Sequence, residues 1–255
     1  MSKKVGLALS GGALRGIFHL GVLEALDEME VPVDIFGGTS SGAIVAVLYA
    51  NRHSPKEILK ISTNGSLLKM FNLRSWSGGL LTLGYLEKIL AENLNCKSIE
   101  DLDVPVIVTA TNMLTGKVEL FDSGDIVHIV KASSSIPIMF SPVSMNGQLY
   151  IDGGIVLNLP ASPIRKHCDV LIGSNLVPDL EIDREDVSNL LKQAGRTFDL
   201  VVFNNIIPEL EICDIEVTSK DLAGYGRFEF SRMSEMFDLG YEAMMGKKSE
   251  LMNLL

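Results

Sequence analysis

Apolar residues along the chain fall into two rhythms. Short, mostly apolar runs at residues 5–9, 33–36, 104–110, 118–121, 149–151 and 170–173 are set off by Gly, Pro, Asp or Lys and read as strands. Val5-Gly6-Leu7-Ala8-Leu9 and Val170-Leu171-Ile172-Gly173 show no polar alternation, the pattern of strands covered on both faces. The second rhythm is helical. Phe18, Val22, Ala25, Leu26 and Met29 recur at helical spacing while Glu24, Asp27, Glu28 and Glu30 take the other face, and Pro32 helps end the element. Further helices are predicted from 43–48 onward and at 86–93, 126–133, 185–204 and 231–254. The opening strand–helix–strand–helix unit requires a parallel strand pair, so the whole predicts a layered α/β fold around a buried, mostly parallel sheet.

Two segments depart from this scheme. Residues 62–83 hold Leu67, Leu68, Met70, Phe71, Leu73, Trp76, Leu80 and Leu81 among Gly, Ser and Asn without a clean period. That pattern suits either a mobile apolar cap over a site or an irregular loop packed on the core. The 231–254 helix carries Met233, Met236, Phe237, Tyr241, Met244, Met245 and Leu251, an adaptable apolar stripe expected to pack inward rather than dock on a membrane.

Composition narrows the function classes. The 255 residues are 47% hydrophobic and 21% charged, with no linker or repeat, so one globular domain over residues 1–255 is expected. A net charge of −10 without any long basic run argues against a nucleic-acid partner and leaves neutral or zwitterionic lipids open. Cys96, Cys168 and Cys213 are too far apart for a disulfide framework or a CxxC metal site. They read as reduced thiols, and with them a cytoplasmic location, no metal and no cofactor are expected. The apolar start at Val5 is broken by Ser10-Gly11-Gly12 and by Arg15, unlike a signal peptide, and no run approaches the roughly 20 apolar residues of a spanning helix.

Candidate chemistry lies in two glycine-rich turns, each between a strand and a helix. Gly38-Thr39-Ser40-Ser41-Gly42 is a GxSxG pattern, in which the flanking Gly38 and Gly42 allow a sharp elbow that lifts the Ser40 hydroxyl above the sheet beside a helix N-terminus. Ser10-Gly11-Gly12-Ala13-Leu14-Arg15-Gly16 admits a phosphate cradle, a set of N–H donors for an oxyanion, or a plain structural corner. A dinucleotide GxGxxG would need glycine at position 13, and a P-loop would need a Lys-Ser or Lys-Thr that is absent, so the spacing favours the oxyanion reading. A serine nucleophile needs a base. His19, His53, His128 and His167 all fall in or beside helices, away from glycine-rich loops, and read as structural or solvated. Asp152, where a strand ends in Asp152-Gly153-Gly154, is the alternative candidate, since the ends of buried strands are where α/β sites are built; taken by itself it reads as an Asp that starts an Asp-Gly turn.

In this order, Gly11-Gly12-Ala13-Leu14-Arg15-Gly16, Gly38-Thr39-Ser40-Ser41-Gly42 and Asp152-Gly153-Gly154 resemble the patatin-like phospholipase family. His19, Gly21-Val22-Leu23, Ala132-Ser133-Ser134-Ser135-Ile136-Pro137, Pro142-Val143 and Asn158-Leu159-Pro160 match as well, so the resemblance covers residues 5 to 175. It implies a three-layer α/β/α domain with a mostly parallel central sheet. It also implies a serine esterase that cleaves fatty-acyl ester bonds of phospholipids or related lipids, with Ser40 and Asp152 as a dyad and no catalytic histidine. The N–H groups of Gly11, Gly12 and Ala13 would hold the oxyanion, Arg15 would anchor their loop, and the lipid would be met at a transient membrane surface. Ala13 stands where many members have a third glycine, and Ser10 where some have an acidic residue. An acyltransferase using the same serine and a non-catalytic lipid binder are the alternative readings; oligomeric state is not readable.

Overall fold

Strands without polar alternation must be covered twice, and the computed structural model shows how. It describes residues 3–63, 76–77, 80–81, 83–177 and 182–255. The elements are β1 (Val5–Leu9), α1 (Ile17–Glu28), β2 (Ile35–Gly38), α2 (Ser41–Ala50), α3 (Pro55–Thr63), a small hairpin of β3 (Trp76–Ser77) and β4 (Leu80–Leu81), α4 (Gly84–Asn93), β5 (Val106–Asn112) and β6 (Val118–Phe121). There follow α5 (Ile126–Ser133), β7 (Val143–Met145), β8 (Gln148–Asp152), α6 (Ser162–Arg165), β9 (Val170–Ser174), α7 (Leu190–Glu211), β10 (Ile215–Val217), α8 (Met233–Met245) and α9 (Lys248–Leu254).

The main sheet runs β10-β9-β1-β2-β5-β8-β7, with β6 also on β5. The stretch from β10 to β5 is parallel; β6, β8 and β7 are antiparallel additions. Alternate side chains feed two apolar layers. Leu7, Leu9, Phe36, Val108 and Ile172 pack with α1, α2 and α8, whereas Ala8, Ile35 and Leu171 meet Leu159, Ile164 and Ile206 of the α6–α7 side on the other face.

The register along β5 decides where the site forms. β2 pairs in parallel with the first half of β5 (Gly38 opposite Val108), and β8 pairs antiparallel with the second half (Asp152 opposite Ala110). β6 spans both halves, with Phe121 opposite Val108 and Glu119 opposite Ala110, so β2 and β8 share the other edge. Running toward each other along that edge, they end one residue apart, at Thr109. Two segments more than a hundred residues apart in sequence are thereby brought end to end.

Most predicted elements are present with shifted ends. The 185–204 helix begins later, at Leu190, where the Asn189 side chain caps it by accepting from the Lys192 N–H at 3.0 Å, and it continues to Glu211. The 231–254 helix is divided at Gly246 into α8 and α9, and its Met233, Met236, Met244 and Leu251 are buried as expected. The pattern gave no sign of α3, although Ser54-Pro55-Lys56-Glu57 is a capping box: Ser54 N–H donates to Glu57 Oε2 at 2.8 Å and Glu57 N–H to Ser54 Oγ at 3.4 Å. β7 and β10, three residues each, are too short to carry a period. Of the irregular apolar segment at 62–83, residues 64–75, 78, 79 and 82 lie outside the described residues. Among the described residues no helix is long and apolar enough to cross a membrane.

Candidate active site

Ser40 sits at the turn from β2 into α2 with φ +53° and ψ −119°, a conformation non-glycine residues rarely adopt. Its surroundings hold it there. Thr39 N–H donates to Leu9 O (3.2 Å), Gly42 N–H to Thr39 O (2.8 Å), and the Ser40 N–H itself to Ser133 Oγ (2.8 Å). A Cβ on Gly42 would lie 2.2 Å from Leu9 O, so β1 and the elbow can approach only because that residue is glycine. The strain is that of a sharp strand-to-helix elbow.

Asp152 reaches the same place from β8. Its backbone N–H donates to Ser135 O (2.9 Å) and its Oδ1 accepts from Gly154 N–H (2.8 Å), which fixes the carboxyl at the start of the 153–155 turn. The residue is 2% exposed. Burial pushes its pKa up from 3.8 to about 6, opposed by the Gly154 N–H, the nearby Ser40 hydroxyl and the charge of Arg227. The Thr39 and Thr109 hydroxyls meet at 2.6 Å where the two strand ends converge, and Thr39 also donates to Leu157 O (3.0 Å).

The glycine-rich loop lies against both. Gly11 N–H donates to Asn158 O (3.2 Å), and Asn158 Nδ2 returns a bond to Gly11 O (3.1 Å). Gly12 N–H faces the Ser41 hydroxyl at 3.1 Å. The Ala13 N–H has no partner among the described residues. Of the three donors expected from sequence, Gly11 N–H is thus engaged by a backbone carbonyl and Gly12 N–H by a rotatable hydroxyl, while Ala13 N–H is open among the described residues. Arg15 is buried and anchors the loop through Nε and Nη2, which both donate to Tyr225 O (2.9 and 2.6 Å). Burial lowers its pKa to about 10, with the charge of Arg227 adding to the effect, so it remains a cation at neutral pH.

Ala13 has φ +54°, a region that costs an alanine about 1 kcal/mol relative to glycine. Ala13→Gly is therefore expected to raise the thermal midpoint by roughly 2–4 °C, as read in a calorimetric scan. His19 is fully buried. Its ring bridges Ser174 Oγ (2.7 Å) and Ser10 O (2.9 Å), and complete burial pushes its pKa down to about 4.

Two cavities meet at Ser40. One, of about 110 Å³, is apolar and takes Leu20, Val45, Leu48, Leu86, Ile89 and Phe140 among its walls. The other has room for about one water and is lined by the glycine-rich loop, Asp152, Asn158, Phe198, Val202 and Arg227. Ser40, Ala13 and Ile136 line both. Sequence reasoning passed over Asn205, Phe198 and Arg227. Asn205 Oδ1 accepts from Asn158 N–H (3.0 Å) and its Nδ2 donates to Gly154 O (2.8 Å), tying α7 to the turn after Asp152. These three residues lie in or beyond α7, where no motif marks them.

The patatin-like phospholipase family model matches residues 7–165, which include all three motifs and more than half of the chain. The chain belongs to the patatin-like phospholipase family. Similar curated proteins include lysophospholipase NTE1 of Kluyveromyces lactis, 33% identical over 174 residues, which are 66% of this chain and 12% of that protein. Lysophospholipase NTE1 of Saccharomyces cerevisiae is 32% identical over 170 residues, 63% of this chain and 10% of its own length. The chain thus spans about a tenth of these relatives. Among solved structures, VipD from Legionella pneumophila superposes with a TM-score of 0.62 at 15% identity, over 96% of this chain and 66% of that one, a likeness of fold. The family match ends at residue 165, so α7 and the Arg227 loop, which complete the site, lie beyond it.

Proposed function

We propose that the chain is a serine lipid acyl hydrolase, a carboxylic ester hydrolase acting on fatty-acyl esters of lysophospholipids or related lipids through Ser40 and Asp152. The observation that carries this reading is the meeting of a strained Ser40 elbow with a buried Asp152 whose pKa is raised to about 6. An aspartate at its ordinary pKa is a feeble base at neutral pH; desolvation brings this one nearer the working range while leaving it ionised at pH 7.

In this mechanism Ser40 Oγ attacks the ester carbonyl carbon as its proton passes to Asp152. The carbonyl oxygen becomes an oxyanion, held by the N–H groups of Gly12 and Ala13 with Gly11 shaping the loop. Collapse expels the alcohol, which takes the proton from Asp152, and leaves the acyl group on Ser40. Water then attacks the acyl-enzyme, its proton goes to Asp152, and Ser40 departs with the proton restored. The apolar cavity suits the acyl chain. Ile138 and Phe228, both exposed, the latter also lining that cavity, support a transient contact with a lipid surface.

The test compares wild type and Ser40→Ala for labelling by a fluorophosphonate and for release of p-nitrophenol from butyrate and longer esters. Labelling and turnover are expected in the wild type and neither in Ser40→Ala. Turnover that survives in Ser40→Ala removes the serine mechanism, and labelling without turnover, relieved by an added acceptor alcohol, makes the chain an acyltransferase.

A further inference from the structure

The two cavities at Ser40 differ in chemistry, and the function proposed above assigns a part of the substrate only to the apolar one. If the acyl chain lies in the apolar cavity, the alcohol side of the ester is left to the polar one. Its cation is Arg227. This residue lies on the loop after the site's last anchor, Tyr225, and outside the segment matched by the family model.

Arg227 is held in place by its surroundings. Its backbone carbonyl accepts from Leu14 N–H at 2.9 Å, which ties the loop to the glycine-rich turn. The guanidinium carbon stands 5.5 Å from the centre of the Phe198 ring, and Phe198 is itself a wall of the polar cavity. Nη2 donates to Asp199 Oδ1, and the remaining N–H groups form no hydrogen bond among the described residues. The Arg227 and Asp199 side chains are 26% and 34% exposed, so the pair borders solvent at the cavity mouth. A guanidinium fixed by a ring face and one carboxylate, with donors to spare, is suited to an anion that arrives from outside.

We propose that Arg227 binds the phosphate of a lysophospholipid, holding the headgroup on the leaving-group side of Ser40. The polar cavity has room for about one water, so it takes the linking atoms next to the ester while the headgroup runs outward past the guanidinium. Overall charge does not supply this recognition: at −10 the chain repels anions at long range, and the local cation has to act at contact. Asp199 sets its strength, since that carboxylate offsets part of the guanidinium charge.

The assignment rests on the hydrolase reading for its orientation, and a binding experiment separates the two. Ser40→Ala is titrated calorimetrically with dodecylphosphocholine below its micelle threshold, with the uncharged hexaethylene glycol dodecyl ether, and with inorganic phosphate. Adding Arg227→Gln is expected to weaken dodecylphosphocholine by about tenfold or more, the worth of one charge-assisted contact, and to change the ether by less than about threefold. Adding Asp199→Asn instead is expected to tighten dodecylphosphocholine and leave the ether as it was. Equal losses for both amphiphiles in Arg227→Gln, no loss for either, or no measurable dodecylphosphocholine binding would overturn the assignment. So would inorganic phosphate binding as tightly as the amphiphile, which would make this a free-anion site. These outcomes involve no turnover: failed ester hydrolysis by the wild type counts against the hydrolase alone, and failed charge discrimination counts against Arg227 alone.

Discussion

Asp152→Asn is expected to give a protein that is more stable than the wild type above pH 6 and about a thousandfold slower on fatty-acyl esters, the typical worth of a positioned general base. Both effects come from burial. The folded-state pKa of Asp152 is raised from 3.8 to about 6, so between those values the folded chain keeps a proton that the unfolded chain has released. Wild-type stability therefore falls as pH rises from about 4 to about 6, and stays lower above that by up to about 3 kcal/mol. Asparagine carries no charge to desolvate, and its side-chain oxygen still accepts from Gly154 N–H, so the variant escapes this loss. The same titration governs activity in the opposite sense: kcat/KM of the wild type is expected to fall about tenfold per unit below pH 6, as the carboxylate is protonated, and to level off above it. Urea melts at pH 4.5 and 8 together with a pH–rate profile test the pair of claims. A variant no more stable than wild type at pH 8 would show that burying the carboxylate costs the fold nothing, and an unchanged rate would remove Asp152 as the base.

Gly21→Ala and Gly240→Ala are each expected to lower stability by about 3 kcal/mol or more, a drop in thermal midpoint of roughly 6–12 °C, without direct contact with Ser40. α1 and α8 cross with their backbones nearly touching. A Cβ on Gly21 would lie 2.0 Å from Phe237 O and one on Gly240 would lie 2.0 Å from Phe18 O. Backbone atoms cannot turn aside as a flexible side chain can, so either methyl has to part the helices. Parting them opens the apolar layer in which Phe18, Met236, Phe237 and Met244 are buried. Thermal scans of the two variants and of the double variant check this. Midpoints within about 2 °C of wild type would mean that the helices slide apart at little cost.

The three motifs were legible because each is a local demand of the backbone: an elbow, a corner and a strand end need glycine at fixed positions, and composition cannot hide that. Asp152 is preferred over four histidines less for its own Asp-Gly turn than for following the other two motifs in the order of the family it resembles. What could not be read were residues whose role is set by another part of the chain. Asn205 and Arg227 are ordinary polar residues until α7 and the 225–228 loop fold onto the turn at Gly154 and the corner at Leu14. Nor could the hydrogen bond from Gly11 N–H to Asn158 O be anticipated, since it joins segments 147 residues apart. The helix ends shifted where a side-chain cap, Asn189 at α7, outranked the apolar period.

The end-to-end meeting of β2 and β8 along β5 has a consequence for the order in which a growing polypeptide acquires its chemistry. Ser40 and its corner emerge before β8, the proposed base arrives only after β8 has taken the second half of the β5 edge, and Arg15 finds its anchor only when Tyr225 is in place. Until then a reactive-looking hydroxyl has neither a proton acceptor nor a fixed oxyanion loop. Chains ending before residue 225 are therefore expected to lack the proposed ester cleavage, which would report that the segments from β1 to Tyr225 have closed on one another.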